Sequence, residues 1–230
     1  MPVLALDTSA AVAVALTDDA GAVLAARSDP QQRHHAELLT PMIAAVLADA
    51  GVDRRELTSV VVGTGPAPFT GLRVGLVTAR TLALALGIPV HGVPSLDAVA
   101  LRASRTLPPG TDVLVATDAR RREVYWSLYR LVGAGQVEVL VAPEVAAAAD
   151  VAADDRAAGA LVIGRGAQLY TDAFGARADL EAAGLLDPDP AELARLALDR
   201  VVAGQVLRTE PLYLRRPDAV PQAARKRVLG

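Results

Sequence analysis

The spacing of apolar and polar positions divides the chain into two halves that repeat one order of elements. Pro2–Leu6 reads as a buried strand ending at Asp7, Ala11–Thr17 as a second strand, and Ala22–Arg27 as a third. Asp18-Asp19-Ala20-Gly21 supplies the hairpin turn between the last two. Leu38, Leu39, Met42, Ile43, Val46 and Leu47 then recur at helical spacing and predict a helix over His34–Ala50. Pro41 removes a backbone donor there and is expected to bend or loosen it. The β-branched run Val60–Val62 stops at Gly63, and a Gly/Pro-rich turn follows. Thr70 as N-cap and Gly87 as C′ residue then bracket a second helix. Ile88–Val93 reads as a strand, Ser95 opens a helix to about Arg105, and Leu107-Pro108-Pro109-Gly110 reads as a linker.

After the linker the order begins again. Val113–Thr117 is an apolar strand ending at Asp118, and Arg120-Arg121-Arg122 is a turn. Glu123–Val132 and Gln136–Val141 are strands, and Pro143–Asp155 reads as an Ala-rich helix. Ala160–Ile163 is a strand, followed by a Gly-rich turn and a short helix. Pro190–Ala203 is an amphipathic helix carrying Leu193, Leu196, Leu198, Val201 and Val202. Each half therefore reads β-β-β-α-β-α and opens on an apolar strand ending in Asp, VLALDTS in one and VLVATDAR in the other. Repeated order without repeated sequence points to duplication of one unit. The expected result is two lobes facing a cleft, 1–106 and 107–230, each with a mixed sheet carrying a hairpin.

The helix over Thr70–Leu86 is unusual. Gly71, Gly75, Ala79 and Ala83 recur every four residues as a stripe almost free of side chains. Leu72, Leu76, Val77, Leu82, Leu84 and Leu86 cover much of the rest, and Arg73 and Arg80 are its only charges. An interior Gly costs about 1 kcal/mol relative to Ala, so close approach of another backbone should offset Gly75. Two readings stand: the helix is sandwiched between its own sheet and a neighbouring helix, or one face is a protein–protein surface.

Composition narrows the function classes. Hydrophobic residues make up 52% of 230, enough for a generous core, while aromatics at 3% leave few stacking platforms. The net charge of −3 argues against a dedicated nucleic-acid binder. With no Cys there is no disulfide frame, thiolate nucleophile or Cys-based zinc site. The N-terminus carries no basic n-region or cleavage signal, and apolar stretches are interrupted before reaching membrane-spanning length, so a cytoplasmic protein with no membrane partner is expected.

Candidate chemistry is sparse. Asp7-Thr8-Ser9 and Asp118 occupy equivalent strand ends. Their donors can hold phosphate and their carboxylates a metal through water, or they can simply satisfy turn backbone. Gly63-Thr64-Gly65-Pro66-Ala67-Pro68 fails the dinucleotide fingerprint at Pro68 and the Walker pattern at Gly71-Leu72-Arg73. A stiff turn is the favoured reading, with an anion at the next helix N-terminus the other. Adjacent His34 and His35 cannot share a metal as an i, i+4 pair would, His91 stands alone, and no Gly-x-Ser-x-Gly elbow is present. Arg120–Arg122, Arg215, Arg216 and Arg225–Arg227 read as solvated turns or tail in preference to phosphate contacts.

Taken in order, LALDTS at Leu4, GTGPAPFTGLRVG at Gly63, GVPSLDAVA at Gly92, TDARRREVYW at Thr117 and EPLYLR at Glu210 resemble the TsaB (YeaZ) family over nearly the whole chain. Members of that family are non-catalytic subunits of the bacterial machinery that makes threonylcarbamoyladenosine at tRNA position 37. Ala67-Pro68 stands where the family usually has Gly-Ser, and Arg121-Arg122 lengthen a run of basics. The resemblance implies an α/β, actin/Hsp70-like fold of two ribonuclease-H-like lobes. It implies catalysis by a paralogous partner, TsaD, whose His-x-x-x-His metal pair has no counterpart here. It also implies an ATPase partner, TsaE, near the lobe junction, a homodimer when alone, and tRNA reached through the complex. No cofactor of its own is expected, ATP or ADP being a candidate only at the interface with partners.

Carried onto this chain, the partner or dimer surface comprises Leu38, Leu39, Met42, Ile43 and Val46 of the first helix. The second helix adds Leu72, Arg73, Gly75, Leu76, Ala79, Arg80 and Ala83. Asp7, Thr8, Ser9, Gly65, Asp118 and Arg120 are the candidates for a lobe-cleft or nucleotide side. The alternative from another class is an ATP-binding small kinase or ATPase of the same superfamily, using Asp7 and Asp118 around a magnesium nucleotide. A peptidase, which needs a nucleophile or zinc, ranks last.

Overall fold

The computed structural model describes residues 1–30, 35–176 and 179–215. His34, Arg216 and Arg225–Arg227 lie outside them. The first half forms β1 (Val3–Asp7), β2 (Val12–Thr17), β3 (Val23–Asp29), α1 (His35–Ala50), β4 (Ser59–Gly63), α2 (Phe69–Leu86), β5 (Val90–Val93) and α3 (Ser95–Ala103). The second forms β6 (Asp112–Asp118), β7 (Glu123–Gly133), β8 (Gln136–Ala147), α4 (Ala148–Ala152), β9 (Leu161–Ile163), α5 (Arg165–Leu169), α6 (Thr171–Phe174) and α7 (Pro190–Val202). The sheets run β3-β2-β1-β4-β5 and β8-β7-β6-β9. In each, an antiparallel meander is extended by a parallel strand beside its first member, the doubled mixed-sheet plan of the actin/Hsp70-like fold.

Alternation along the strands decides which helix covers which face. Leu4, Leu6, Val60 and Val62 point to α1 and α2, while Val3, Ala5 and Val61 point to α3 and α7. The helix α3 is shared: Ala98 and Leu101 pack on the first sheet, and Leu96, Val99, Ala100 and Ala103 on Val113, Val115 and Tyr129 of the second. The helix α7, late in the chain, returns to the first sheet through Leu193, Ala194, Leu196 and Ala197. Charges buried at this junction are paired, as their desolvation demands. Asp97 accepts from the Tyr129 hydroxyl at 2.8 Å and from Arg200 at 2.6 Å, and Glu192 pairs with Arg105 and Arg195.

Three expectations are corrected. The helix read over Pro143–Asp155 is strand as far as Ala147, because β7 needs a partner along Glu123–Trp126 and takes Ala147–Glu144. Pro143 falls where Trp126↔Glu144 steps to Leu128↔Val141, an irregularity of the edge strand that tolerates a missing N–H. Thr70 does not cap α2: the helix starts at Phe69 behind Pro68, whose carbonyl accepts from the Leu72 N–H, and Thr70 faces solvent. At 18 residues and mean hydropathy 1.3, α2 does reach the length and apolarity of a spanning helix, although its inner face packs on the first sheet. Gly87 ends it in the left-handed conformation, φ 68°. The helix α1 continues through Pro41.

The turn after β1 ties the layers together. The Thr8 hydroxyl accepts from the Gly75 N–H at 3.1 Å and donates to the Gly71 carbonyl at 2.8 Å, spanning one turn of α2. A Cβ on Gly75 would overlap this fixed oxygen and lie 3.3 Å from Leu6 Cδ1. One residue earlier, fully buried Asp7 accepts from the Ser9 N–H at 2.7 Å, the Ser9 hydroxyl at 2.5 Å and the Ser95 hydroxyl at 2.6 Å. Burial pushes its pKa above the ordinary 3.8, more than these donors pull it down.

Two outcomes follow for stability. Gly75→Ala should destabilise by about 1–3 kcal/mol in urea unfolding, although Ala is the better helix former; an equal or higher midpoint would contradict the close approach. A carboxyl whose folded-state pKa is raised contributes stability that is present below its unfolded value and lost as pH rises through its folded value. Wild type should therefore lose stability relative to Asp7→Asn as pH rises from about 4. Parallel pH profiles of the two melting midpoints would contradict it.

Candidate functional site

A cleft of about 570 Å³ lies between the lobes. Thr8 and Ser9 approach it from the β1–β2 turn, and Phe69, Thr70 and Gly71 from the first turn of α2. Thr117, Asp118 and Arg120 come from the end of β6, and Arg165 from α5. The predicted Thr8, Ser9, Asp118 and Arg120 thus meet in one place. Asp7 and Gly65 do not line it. Gly65, at φ 85°, exchanges hydrogen bonds with Ser95, its N–H donating to the hydroxyl at 3.1 Å and its carbonyl accepting at 2.8 Å. A side chain on Gly63 would strike the Asp7 carboxylate and the Ser95 hydroxyl, so this glycine makes room for the Asp7–Ser95 contact.

The second-lobe wall is polar and internally committed. Asp118 accepts from the Tyr170 hydroxyl and the Arg120 N–H, each at 2.8 Å, and its carboxylate pairs with the Arg120 guanidinium at 3.3 Å. Burial first, and the Asp118 bond second, push the Tyr170 phenol up to about 12, so it remains a donor. Arg165 is paired with Asp187. Asp7 accepts from Ser9 and Ser95 outside the cleft, so of the two carboxylates envisaged around a magnesium nucleotide only Asp118 lines it. Among the described residues no group of three His, Cys, Asp or Glu is placed to hold a metal. His91 is half-buried on β5, with its pKa lowered by burial, and the buried carboxylate beside the Ser95 hydroxyl is Asp7.

Arg120, Arg121 and Arg122 have φ of 66°, 57° and 63°. Each left-handed residue with a side chain costs about 1–2 kcal/mol. The turn is closed by Ala119 N–H to Glu123 O and Glu123 N–H to Arg120 O, both 3.0 Å, and Arg122 pairs with Asp172. Sequence reading identified the turn but not its hand, because nothing in three consecutive arginines favours positive φ.

The helix surface differs from expectation. Leu72, Gly75, Leu76, Ala79 and Ala83 are buried on the inner face of α2, and Leu39, Ile43 and Val46 on that of α1. The small-residue stripe is a seam with the protein's own sheet, narrow because α2 must lie against Thr8. Leu38 and Met42 are half-buried. The outward face of α2 carries Arg73 and Arg80 with Val77 (61% exposed) and Leu84 (84% exposed). A groove of about 470 Å³ between the helices is lined by Ala36, Phe69, Arg73, Val74 and Val77. Beside it Phe69 stacks on Tyr213 at 4.2 Å, and Arg73 lies 4.4 Å over the Phe69 ring while donating to the Tyr213 hydroxyl at 2.9 Å. Val77, Leu84, Phe69 and Tyr213 were not among the predicted site residues. For Val77 and Leu84 the signal is the helical phase opposite Gly75; Tyr213 lies outside any periodic segment.

Comparison with known proteins agrees with this architecture. The family model described as "TsaD: tRNA N6-adenosine threonylcarbamoyltransferase" matches residues 23–180. The protein of Bacillus subtilis named tRNA threonylcarbamoyladenosine biosynthesis protein TsaB is 30% identical over 230 residues, covering 95% of this chain and 96% of its own. An uncharacterised protein of Mycobacterium leprae is 41% identical over 96% of this chain, which spans 57% of that relative's length. The solved structure of YeaZ from Pseudomonas aeruginosa superposes with a TM-score of 0.77 at 32% identity, covering 93% of this chain and 99% of that one. The chain belongs to the TsaB (YeaZ) family, within the wider group that the TsaD model describes.

Proposed function

We propose that this chain is a cytoplasmic subunit of the machinery that places threonylcarbamoyl on N6 of adenosine 37 in tRNA. It seats and positions the catalytic subunit TsaD and contributes no reacting group itself. The observation that carries this reading is the outward face of α2, where Val77 stands in solvent between Arg73 and Arg80 and Leu84 one turn beyond, while the opposite face is packed on the first sheet. In the absence of TsaD the same face would pair with a second copy, and TsaE would join near the lobe junction. tRNA would be reached through the complex, and ATP or ADP would sit between subunits. The engagement of the buried Asp7 carboxylate by Ser9 and Ser95 supports a role without catalysis.

A second reading, an ATP-binding kinase or ATPase, is favoured by one observation: Arg120, Arg165 and the first turn of α2 face one cleft. Calorimetry of the isolated chain with magnesium-ATP should give no heat of binding. A saturable heat would favour this second reading instead.

Burying one large apolar side chain contributes about 1.5–3 kcal/mol, so the double variant Val77→Asp/Leu84→Asp should weaken the complex with purified TsaD by at least about 10-fold. Its melting temperature should stay near that of wild type, since both residues are exposed. Unchanged affinity in titration calorimetry would overturn the docking assignment.

A further inference from the structure

Between α7 and Arg215 the chain runs without helix or strand and crosses from one lobe to the other. It first lies along β5, where the Gly92 N–H donates to the Leu207 carbonyl at 3.3 Å and a side chain on Gly92 would strike the Arg208 carbonyl. It then runs along the flank of α2 that carries Arg73 and Arg80. Arg80 Nε donates to the Thr209 hydroxyl at 2.8 Å, the Leu212 N–H donates to the Thr64 carbonyl at 2.9 Å, and Tyr213 stacks on Phe69 under Arg73. It ends on the second lobe, where Arg215 donates to the Ala119 carbonyl at 2.8 Å and pairs with Glu123 at 3.1 Å.

Ala119 and Glu123 are the two ends of the left-handed turn Arg120–Arg122, whose first arginine lines the cleft. Three consecutive strained residues persist only where their surroundings over-determine them, and Arg215 grips both flanks of the stretch. The same segment is anchored at its other end by Arg73 and Arg80, the two charges on the outward face of α2. Contact with that face and the conformation of the cleft rim therefore share one connector.

We infer that residues 205–215 form a strap coupling the outward face of α2 to the Arg120–Arg122 rim of the cleft. Seated, the strap holds the left-handed turn; a protein that takes Arg73 and Arg80 displaces it and releases the turn. The inference rests on the docking reading above for the identity of that protein. Only a differential affinity for the two strap states can drive the change, and competition for two guanidinium groups supplies one.

Hydrogen exchange of the intact protein tests it at the Ala119, Arg120 and Glu123 amides, each of which donates within the turn. Tyr213→Ala, across the cleft from these amides, should speed their exchange about fivefold or more while the β1 amides keep their wild-type rates. Arg73→Ala should act in the same direction, and Tyr213→Phe, which keeps the stack, should act less. Wild-type exchange at the turn in both Tyr213→Ala and Arg73→Ala overturns the inference, whatever Arg215→Ala does. Adding purified TsaD to wild type should also speed exchange at the turn. A complex that forms without that change overturns the coupling and spares the docking reading; failure to form a complex overturns docking and leaves the variant test to decide the coupling.

Discussion

The approach of α2 to the turn after β1 is the constraint on which the rest of the first lobe depends. One hydroxyl, that of Thr8, engages the helix at the Gly71 carbonyl and the Gly75 N–H, and no side chain fits between them. That contact sets the rotation of α2 about its axis. Once Gly75 faces inward, Leu72, Leu76, Ala79 and Ala83 follow it into the core, and Arg73, Val77, Arg80 and Leu84 are turned to solvent. The surface proposed for a partner is thus a consequence of an internal packing requirement.

The same turn reaches the second lobe through Asp7. Its carboxylate accepts from Ser95, the first residue of α3, and α3 is the helix that both sheets share. With α7 folded back on the first sheet and the Asp97 and Glu192 pairs buried between them, the lobes meet through packed helices and satisfied charges. The cleft takes its walls from the β1–β2 turn, α1, the first turn of α2, the end of β6 and α5. Of the carboxylates lining it, Asp118 is engaged by the Tyr170 hydroxyl and by the amide and guanidinium of Arg120.

Much of this was legible in the sequence. The strands before Asp7 and Asp118, the repeated order and the helix ending at Gly87 follow from period, turn chemistry and capping, which are local. The stripe of Gly75, Ala79 and Ala83 was legible as a close approach, but which backbone approaches is a tertiary fact, and Thr8 is far away in sequence. The strand–helix error at Pro143–Ala147 has the same origin, since alanine propensity gave way to the unpaired edge of β7. Ser95 read as a helix opener; its role as the partner of Asp7 depends on two parallel crossovers that bring residues far apart in the chain together. The strap leaves no periodic signal, because its hydrogen bonds run to elements scattered through the chain.

The most direct test of the central claim uses the absence of cysteine in this chain. Single cysteines placed at Leu84 and at Ala83, adjacent residues of α2 of which the first is exposed and the second buried, report accessibility to a thiol reagent with and without purified TsaD. The account predicts rapid labelling at position 84 that is suppressed in the complex, and slow labelling at position 83 in both states. Rapid labelling at position 83 in the free protein, or undiminished labelling at position 84 in a complex that has formed, would contradict it.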